Sequence, residues 1–557
     1  MTRRARYASA SIENWNLWWF FNKERYLDLK ANLHSVQCST ESSEFFFGRR
    51  SRMISRDTAR PSPEFIRRNL IPHLVRTLAD PSACVRDSAV IALGKVGGAS
   101  EVKVLNRMLR DPNRSVRSAA VIALGLLQSE AAIAPLCAVV RAGEKGIELR
   151  GGRKPETSLR ATAAIVLGLQ EDHASDEMLE TLMQTGMSRS ESLEVKVNAT
   201  IALGLVRCPD AAVDRLARHL KRLAASTWEY TRIRTHAVVA LGRLLKGNSV
   251  PADAATVKML SRLLLGDPDN QVRRSAAIAL GVVDTDAELA PVVVSRLARH
   301  LLSDRDNPVR NFSALSLGRV GGPRAFDTLA RCAVRERSQR GTYAALGLGI
   351  LCKRIASNTD LAARRQQGLK VLRRVFMKAR NLSLKAGYAI ALGIAGDHDA
   401  GPLLLKAMKT VKDPDTRGYL AVAMGMVKFT PAMEYLRDTL RTANNMPALE
   451  MQTAVALGLM GNRDVSTFLV ESLAKEKSGH VQASLTQALG FIGDRRAITP
   501  LVRIMKDGNG SAITRAHACA ALGSIGEDSS LPVLSNLFNG HNYLSSTPSL
   551  DYLTLIL

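Results

Sequence analysis

From about residue 65 onward the chain repeats one pattern of apolar and polar positions. Apolar residues recur at helical spacing, as in Val85, Ala89, Ala92, Leu93 and Val96. Each such run ends in Ala-Leu-Gly or a near variant. The tripeptide occurs thirteen times, with its glycines at Gly94, Gly125, Gly168, Gly204, Gly242, Gly281, Gly318, Gly347, Gly393, Gly425, Gly458, Gly490 and Gly523. They span 429 residues at a mean interval near 36, within the period of roughly 20–50 residues that marks repeat architectures. Leu precedes the glycine in twelve copies and Met424 in the other; Ala stands two places before it in all but Val166 and Ser316.

Each unit reads as two helices, the second ending near the glycine. Small residues along its stripe predict close approach of neighbouring second helices, with Leu93 and its equivalents filling the gap between them. Where Gly-x-x-Gly continues the motif, as at Gly490–Gly493 and Gly523–Gly526, the second glycine is expected to take a left-handed cap. Prolines nine or ten residues on (Pro135, Pro291, Pro402, Pro500, Pro532) suit the first turn of the next helix. Asp-Pro or Asn-Pro at Asp80, Asp111, Asp267, Asn307 and Asp413 predicts the turn between the two helices.

The strings Asp-Pro-x-x-x-Val-Arg-x-x-Ala-x-x-Ala-Leu-Gly at 80–94 and 111–125 resemble HEAT repeats, specifically the short type of phycobilisome lyases. The likeness covers roughly residues 65–540. It implies an all-α superhelical solenoid of about thirteen helical pairs, with an arc on the order of 100 Å. It says little about activity, because one solenoid serves many functions.

Composition agrees with a helical array. Apolar residues make up 46% of the chain but aromatics only 5%, so the core must be aliphatic. The seven cysteines are scattered without a Cys-x-x-Cys pair, which fits buried thiols in a reducing compartment. No segment approaches the ~20 apolar residues a bilayer needs. A cytoplasmic location is expected, with export if the true start lies upstream.

Eight residues before the glycine stands a basic residue in ten copies, broken by Gln339, Glu450 and Gln482. Four of the ten have an Asp six residues earlier: Asp80 with Arg86, Asp111 with Arg117, Asp267 with Arg273, and Asp304 with Arg310. In the HEAT family such residues form an Asp–Arg ladder between repeats, and that structural role is expected here ahead of a basic track for nucleic acid. The other six basic positions have no assigned partner.

The net charge of +26 is uneven. Residues 296–385 hold 20 Lys and Arg against 5 Asp and Glu. Within them Arg364, Arg365, Lys370, Arg373, Arg374, Lys378 and Arg380 form a candidate surface for an acidic partner, or simply a solvated helix face. On the first view, reversing Arg364, Arg365, Arg373 and Arg374 abolishes binding and leaves the fold intact. Few aromatics lie nearby, so base stacking has little support.

Catalytic and metal signatures are missing from the sequence. There is no HxxxH, HExxH, GxSxG, P-loop or Rossmann fingerprint. The His-Glu dyads of deoxyhypusine hydroxylase, a HEAT-like enzyme, have no counterpart; the nearest string is Asp397-His398-Asp399. His219 and His300 recur in a duplicated Arg-Leu-Ala-Arg-His-Leu but stand two repeats apart. No catalytic residue, metal or cofactor is expected.

The first 65 residues hold 11 of the 26 aromatics and three of the four tryptophans. This segment and the tail are similar to those of large bacterial HEAT-repeat proteins of unassigned activity. Three parts follow: a capping segment over 1–64, the solenoid over 65–540 and a closing tail over 541–557. Residues 15–33 are expected to cap the first repeat pair, in competition with an interfacial membrane anchor. The favoured function is a non-catalytic scaffold binding a protein or peptide on the concave face. The alternatives are a phycobilin-lyase-like chromophore-handling module and a nucleic-acid-binding solenoid.

Overall fold

In the computed structural model, residues 14–27 and 61–527 are described, apart from 171, 172, 227, 228, 444, 445, 463, 477 and 509. Every regular element among them is helical. Thirteen second helices carry the glycine series, from Ala83–Val96 through Asn270–Val282 to Ala512–Gly526. The Asp-Pro turns start them. Asp80, Asp111 and Asp267 each accept the amide two residues on, at 2.8–3.0 Å, and Asp413 accepts from Thr416, which satisfies amides that a helix start leaves unpaired. Gly396 and Gly493 take the left-handed cap. Gly97 is extended instead, and Gly526 stays helical and packs on another repeat.

The Ala-Leu-Gly motif is a contact between copies. A Cβ on Gly94 would lie 2.5 Å from the Cα of Ala123, one on Gly168 2.6 Å from that of Ala202, and one on Gly204 2.5 Å from that of Ala240. The glycine of one repeat therefore receives the small residue two places before the next repeat's glycine. The leucine between them is buried: Leu93, Leu124, Leu167 and Leu280 are all fully covered. One copy shifts register. In Gln339–Arg354, Gly347 turns back to Ala314 while Gly349 makes the forward contact with Ala391.

The array is an all-α solenoid, but it is not an open arc. A Cβ on Gly523, in the last described helix, would lie 2.6 Å from the Cα of Ala92 in the first second helix. That is the spacing between ordinary neighbours. Gly526 lies against Val96, Ile66 and Leu70. Across the same junction Lys95 Nζ donates to Ser524 Oγ at 3.1 Å and pairs with Glu527 at 3.4 Å. The thirteen repeats close into a ring, and neither end of the stack is left bare.

Closure decides which layer faces inward. Second helices touch backbone to backbone at their glycines, so they form the tight inner layer. Helix layers about 10 Å apart leave the outer helices of a thirteen-unit ring ~5 Å further separated than the inner ones.

Candidate functional site

The inner wall is occupied by the chain's own N-terminal segment. Trp15–Asn22 is a short helix, followed by Glu24–Leu27. Trp15 Nε1 donates to Ser383 O at 3.0 Å, and the ring meets Tyr419 edge to face at 4.9 Å. A Cβ on Gly387 would lie 3.1 Å from the Trp15 indole, so glycine makes room for it. Tyr343 Oη donates to Asn14 O at 3.3 Å. Further along, Lys353 Nζ sits 5.3 Å from the Tyr26 ring centre. The segment thus follows Gln339–Arg354 from its start to its last turn. Trp15, Trp18, Trp19 and Leu27 are all buried.

The cap expected on the first repeat pair is therefore not there. The last repeat already covers that apolar face. Trp15 lies instead against the eighth, ninth and tenth second helices, and Trp18 and Trp19 pack on Tyr26 of the same segment. Residues 28–33 and the closing tail at 541–557 lie outside the described residues.

Seven of the ten basic positions eight before a glycine reach forward to the next repeat. Arg86 forks onto Asp111 with Nε and Nη2 at 2.9 and 3.0 Å, while Nη1 donates to the Asp80 carbonyl at 2.9 Å. Arg117 donates to the Asp111 carbonyl at 2.9 Å and pairs with Glu156 at 2.6 Å. Arg273 donates to the Asp267 carbonyl at 2.9 Å and lies 3.5 Å from Asp304. Within the first three Asp–Arg pairs the contact is thus to the backbone, and the side-chain charge goes to the following unit. Arg310 donates to the Asp304 carbonyl and to Asn307 Oδ1.

Four positions left without a partner in the sequence have one in the structure. Arg160 pairs with Glu191, Lys196 with Glu229, Arg234 with Asp267, and Arg515 with Asp80. Asp267 and Asp80 belong to Asp-Pro turns, whereas Glu191 and Glu229, like Glu156, lack that signature. Even Gln482 keeps the geometry, accepting from Thr514 Oγ1 at 3.0 Å.

The seven candidate surface residues do not form one surface. Six of them lie on Ala362–Lys378, a first helix and so part of the outer layer, and Arg380 lies just beyond its end. Arg373 forks onto Asp397 at 2.6 and 2.5 Å and reaches Asp399 at 2.8 Å; the hydrogen bond to Asp397 first, and the carboxylate charges beside it, hold its pKa above the usual value. Arg365 donates to the carbonyls of Ala395 and Gly396 at 3.1 and 3.3 Å. Arg364 lies 5.5 Å from the Phe326 ring centre. Only Lys370, Arg374, Lys378 and Arg380 are exposed, the first three on one helix face at four-residue spacing. Reversing Arg365 and Arg373 would strip inter-helix bonds, so the fourfold reversal cannot leave the fold untouched.

His219, His236, His300 and His517 are buried on their helices. Burial pushes His236 down to about 3 and His219 to about 4, and His300 Nδ1 lies 2.8 Å from Asp304. Among the described residues no three His, Cys, Asp or Glu side chains gather to hold a metal, and no helix is long and apolar enough to cross a membrane.

HEAT repeats match the sequence over residues 71–150, 263–349 and 467–543. No curated protein matches the chain. Among solved structures, importin beta is 13% identical over 83% of this chain and 70% of its own, with a TM-score of 0.37. The Escherichia coli protein YibA is 17% identical over 52% of this chain and 91% of its own, at 0.33. Human deoxyhypusine hydroxylase is 18% identical over 54% of this chain and 98% of its own, at 0.23.

Proposed function

We propose that this HEAT-repeat ring is a non-catalytic scaffold that holds a helical segment of a protein partner on its inner, concave face. The observation behind this reading is residues 14–27. They behave as a bound peptide would, seating aromatic side chains against the inner helices and donating an indole N–H to a backbone carbonyl at 3.0 Å. Large aromatics that bury a ring and satisfy its one polar atom are typical anchors of such contacts. The Asp-Pro to Ala-Leu-Gly strings support assigning the repeats to the phycobilisome-lyase-like type, as a form of repeat rather than as an activity.

Capture from native lysate tests the reading, with three full-length variants beside the parent. Trp15→Ala, which loosens the chain's own segment, should raise capture. Tyr419→Ala, which removes an inner-face contact, should lower it. Reversing Lys370, Arg374 and Lys378 to Glu on the outer face should leave it unchanged. Capture that follows only the outer face and vanishes with nuclease would favour nucleic acid instead.

A further inference from the structure

A closed ring of antiparallel helices has two rims. One carries the turns from each outer helix into its second helix; the other carries the turns between repeats. Among the described residues ten large apolar side chains are exposed, and nine of them stand on the first rim. Only Val292, near the start of Ala290–Ser303, is on the other. Four of the nine are in register. Leu265, Leu302, Val334 and Met377 are each the penultimate residue of an outer helix, in the sixth to ninth repeats. Leu265, Leu302 and Met377 stand sixteen residues before their glycine, where the last four repeats have Lys409, Thr442, Ala474 and Asp507. The repeat itself therefore does not require an apolar residue there. Neighbouring outer helices set the four tips in a row of roughly 40 Å. Met187, Tyr230, Leu382, Met446 and Ile513 carry the apolar positions further around the rim.

The surroundings of the row are basic. Residues 262–274, 299–310, 331–340 and 374–385 are its four turns with their flanking helix ends; nine Lys and Arg are exposed there and no Asp or Glu is. The acids are taken: Asp267 by Arg234, Asp304 by His300, Asp306 by Arg274 and Glu336 by Arg340. Asp269 accepts the Gln271 amide. Arg305, Arg337 and Arg380 stand exposed, one in each of three turns. The luminal segment, residues 14–27, begins at the same rim. There the Trp15 amide lies 3.4 Å from Gln339 Oε1, and Nε1 donates to Ser383 O. Arg3, Arg4 and Arg6 precede it in the sequence.

We propose that this rim docks on an anionic lipid bilayer, with the apolar tips entering the interface and the Lys and Arg between them meeting the headgroups. A second copy of the chain would set like charges together. A peptide would cover one stretch of the rim, whereas tips from the fourth repeat to the thirteenth suit a partner that is itself flat. Closure levels the rim for it. The last repeat meets the first at the spacing of ordinary neighbours, so the stack gains no net rise around the circle. Isolated apolar side chains bind a membrane weakly, and a cationic field beside them supplies the second signal that stable docking needs.

The full-length chain is sedimented with phosphatidylcholine vesicles, plain or with phosphatidylserine at about one lipid in three. The parent should bind the anionic vesicles and not the neutral ones, and less as salt rises. Leu265→Ser, Leu302→Ser, Val334→Ser and Met377→Ser together should weaken that binding roughly tenfold or more. Arg305→Glu, Arg337→Glu and Arg380→Glu together should do the same, and Val292→Ser on the opposite rim should change nothing. Because the altered side chains are exposed, each variant should keep the parent's Tm. A parent that ignores anionic vesicles would overturn the proposal. So would full binding by the fourfold serine variant alongside loss in the glutamate variant, which is the mark of a general polyanion contact such as nucleic acid would make. Equal binding to neutral vesicles would overturn the choice of an anionic surface.

Discussion

Arg515 in the last described helix pairs with Asp80 in the first Asp-Pro turn, 435 residues earlier in the chain. It is the contact that Arg86 makes with Asp111 and Arg234 with Asp267, with the last repeat and the first in the roles of neighbours. The pair is largely buried, with Arg515 14% and Asp80 10% exposed. Its position makes it a lock on the ring.

Arg515→Ala leaves the Asp80 carboxylate without its partner. Loss of one partner from a buried pair costs roughly 3 kcal/mol. The effect should be concentrated at the junction, so the variant should both melt earlier and become larger by small-angle scattering. Unchanged dimensions together with an unchanged Tm would deny the junction this role.

Leu280, fully buried between two glycine contacts, tests the general repeat interface. Leu280→Ala should cost about 2–5 kcal/mol, as buried leucines do. Nearest-neighbour packing carries the stability of such arrays, so Leu93→Ala beside the junction should cost a similar amount. Circular dichroism should show helix without β-structure in all of them.

Much of this fold could be read from the chain, because one small-residue contact is repeated thirteen times. Gly94 on Ala123 and Gly204 on Ala240 use local spacing that periodicity exposes. Closure could not be read so. It depends on the small rotation that each repeat adds to the last, and no single residue records that sum; Gly523 looks like any other member of its series. The Trp segment was misplaced for the same reason, since a cap is needed only if an end is bare. In the ladder, Asp-Pro marked Asp111 and Asp267, while Glu191 and Glu229 came from turns without that signature. The run 364–380 looked like one charged face because charge is visible in sequence and Asp397, which takes Arg373, is not visibly near.

Trp15 gives a direct probe of the luminal segment. Its indole is buried and hydrogen-bonded to Ser383, and truncating a buried Trp costs about 3–5 kcal/mol. Here that cost should appear as release of the segment rather than unfolding of the ring. Trp15→Ala should expose residues 14–27 to limited proteolysis while the ring's helicity holds. Gly387→Val, which fills the space under the indole, should do the same. Protection of the segment in both variants would contradict the contact.

Asp87 predicts a pH dependence. Its side chain is buried with Oδ1 unpaired; burial first, and the nearby Asp111 charge second, raise its pKa from 3.8 to about 7. The native carboxyl then keeps its proton over a range where the unfolded chain has lost it. Stability falls as pH rises from about 4 to 7 and levels off above. Asp87→Asn removes that loss, so its gain in Tm over the parent should be larger at pH 8 than at pH 5. An equal gain at both would show that the carboxyl does not titrate there.

The ring itself is tested most directly by one distance, between His73 and Lys506. These outer-layer residues sit 433 positions apart in sequence, with Lys506 Nζ 3.3 Å from His73 Nε2. Spin labels on His73→Cys and Lys506→Cys, in a chain whose exposed Cys84 is replaced by Ser, report the separation of the two ends in solution by pulsed dipolar spectroscopy. A closed ring predicts a single short distance within the same molecule, roughly 20–30 Å with the label arms included, unchanged on dilution with unlabelled protein. An open arc on the order of 100 Å would give no such short distance, and that result would contradict the closure on which this account rests.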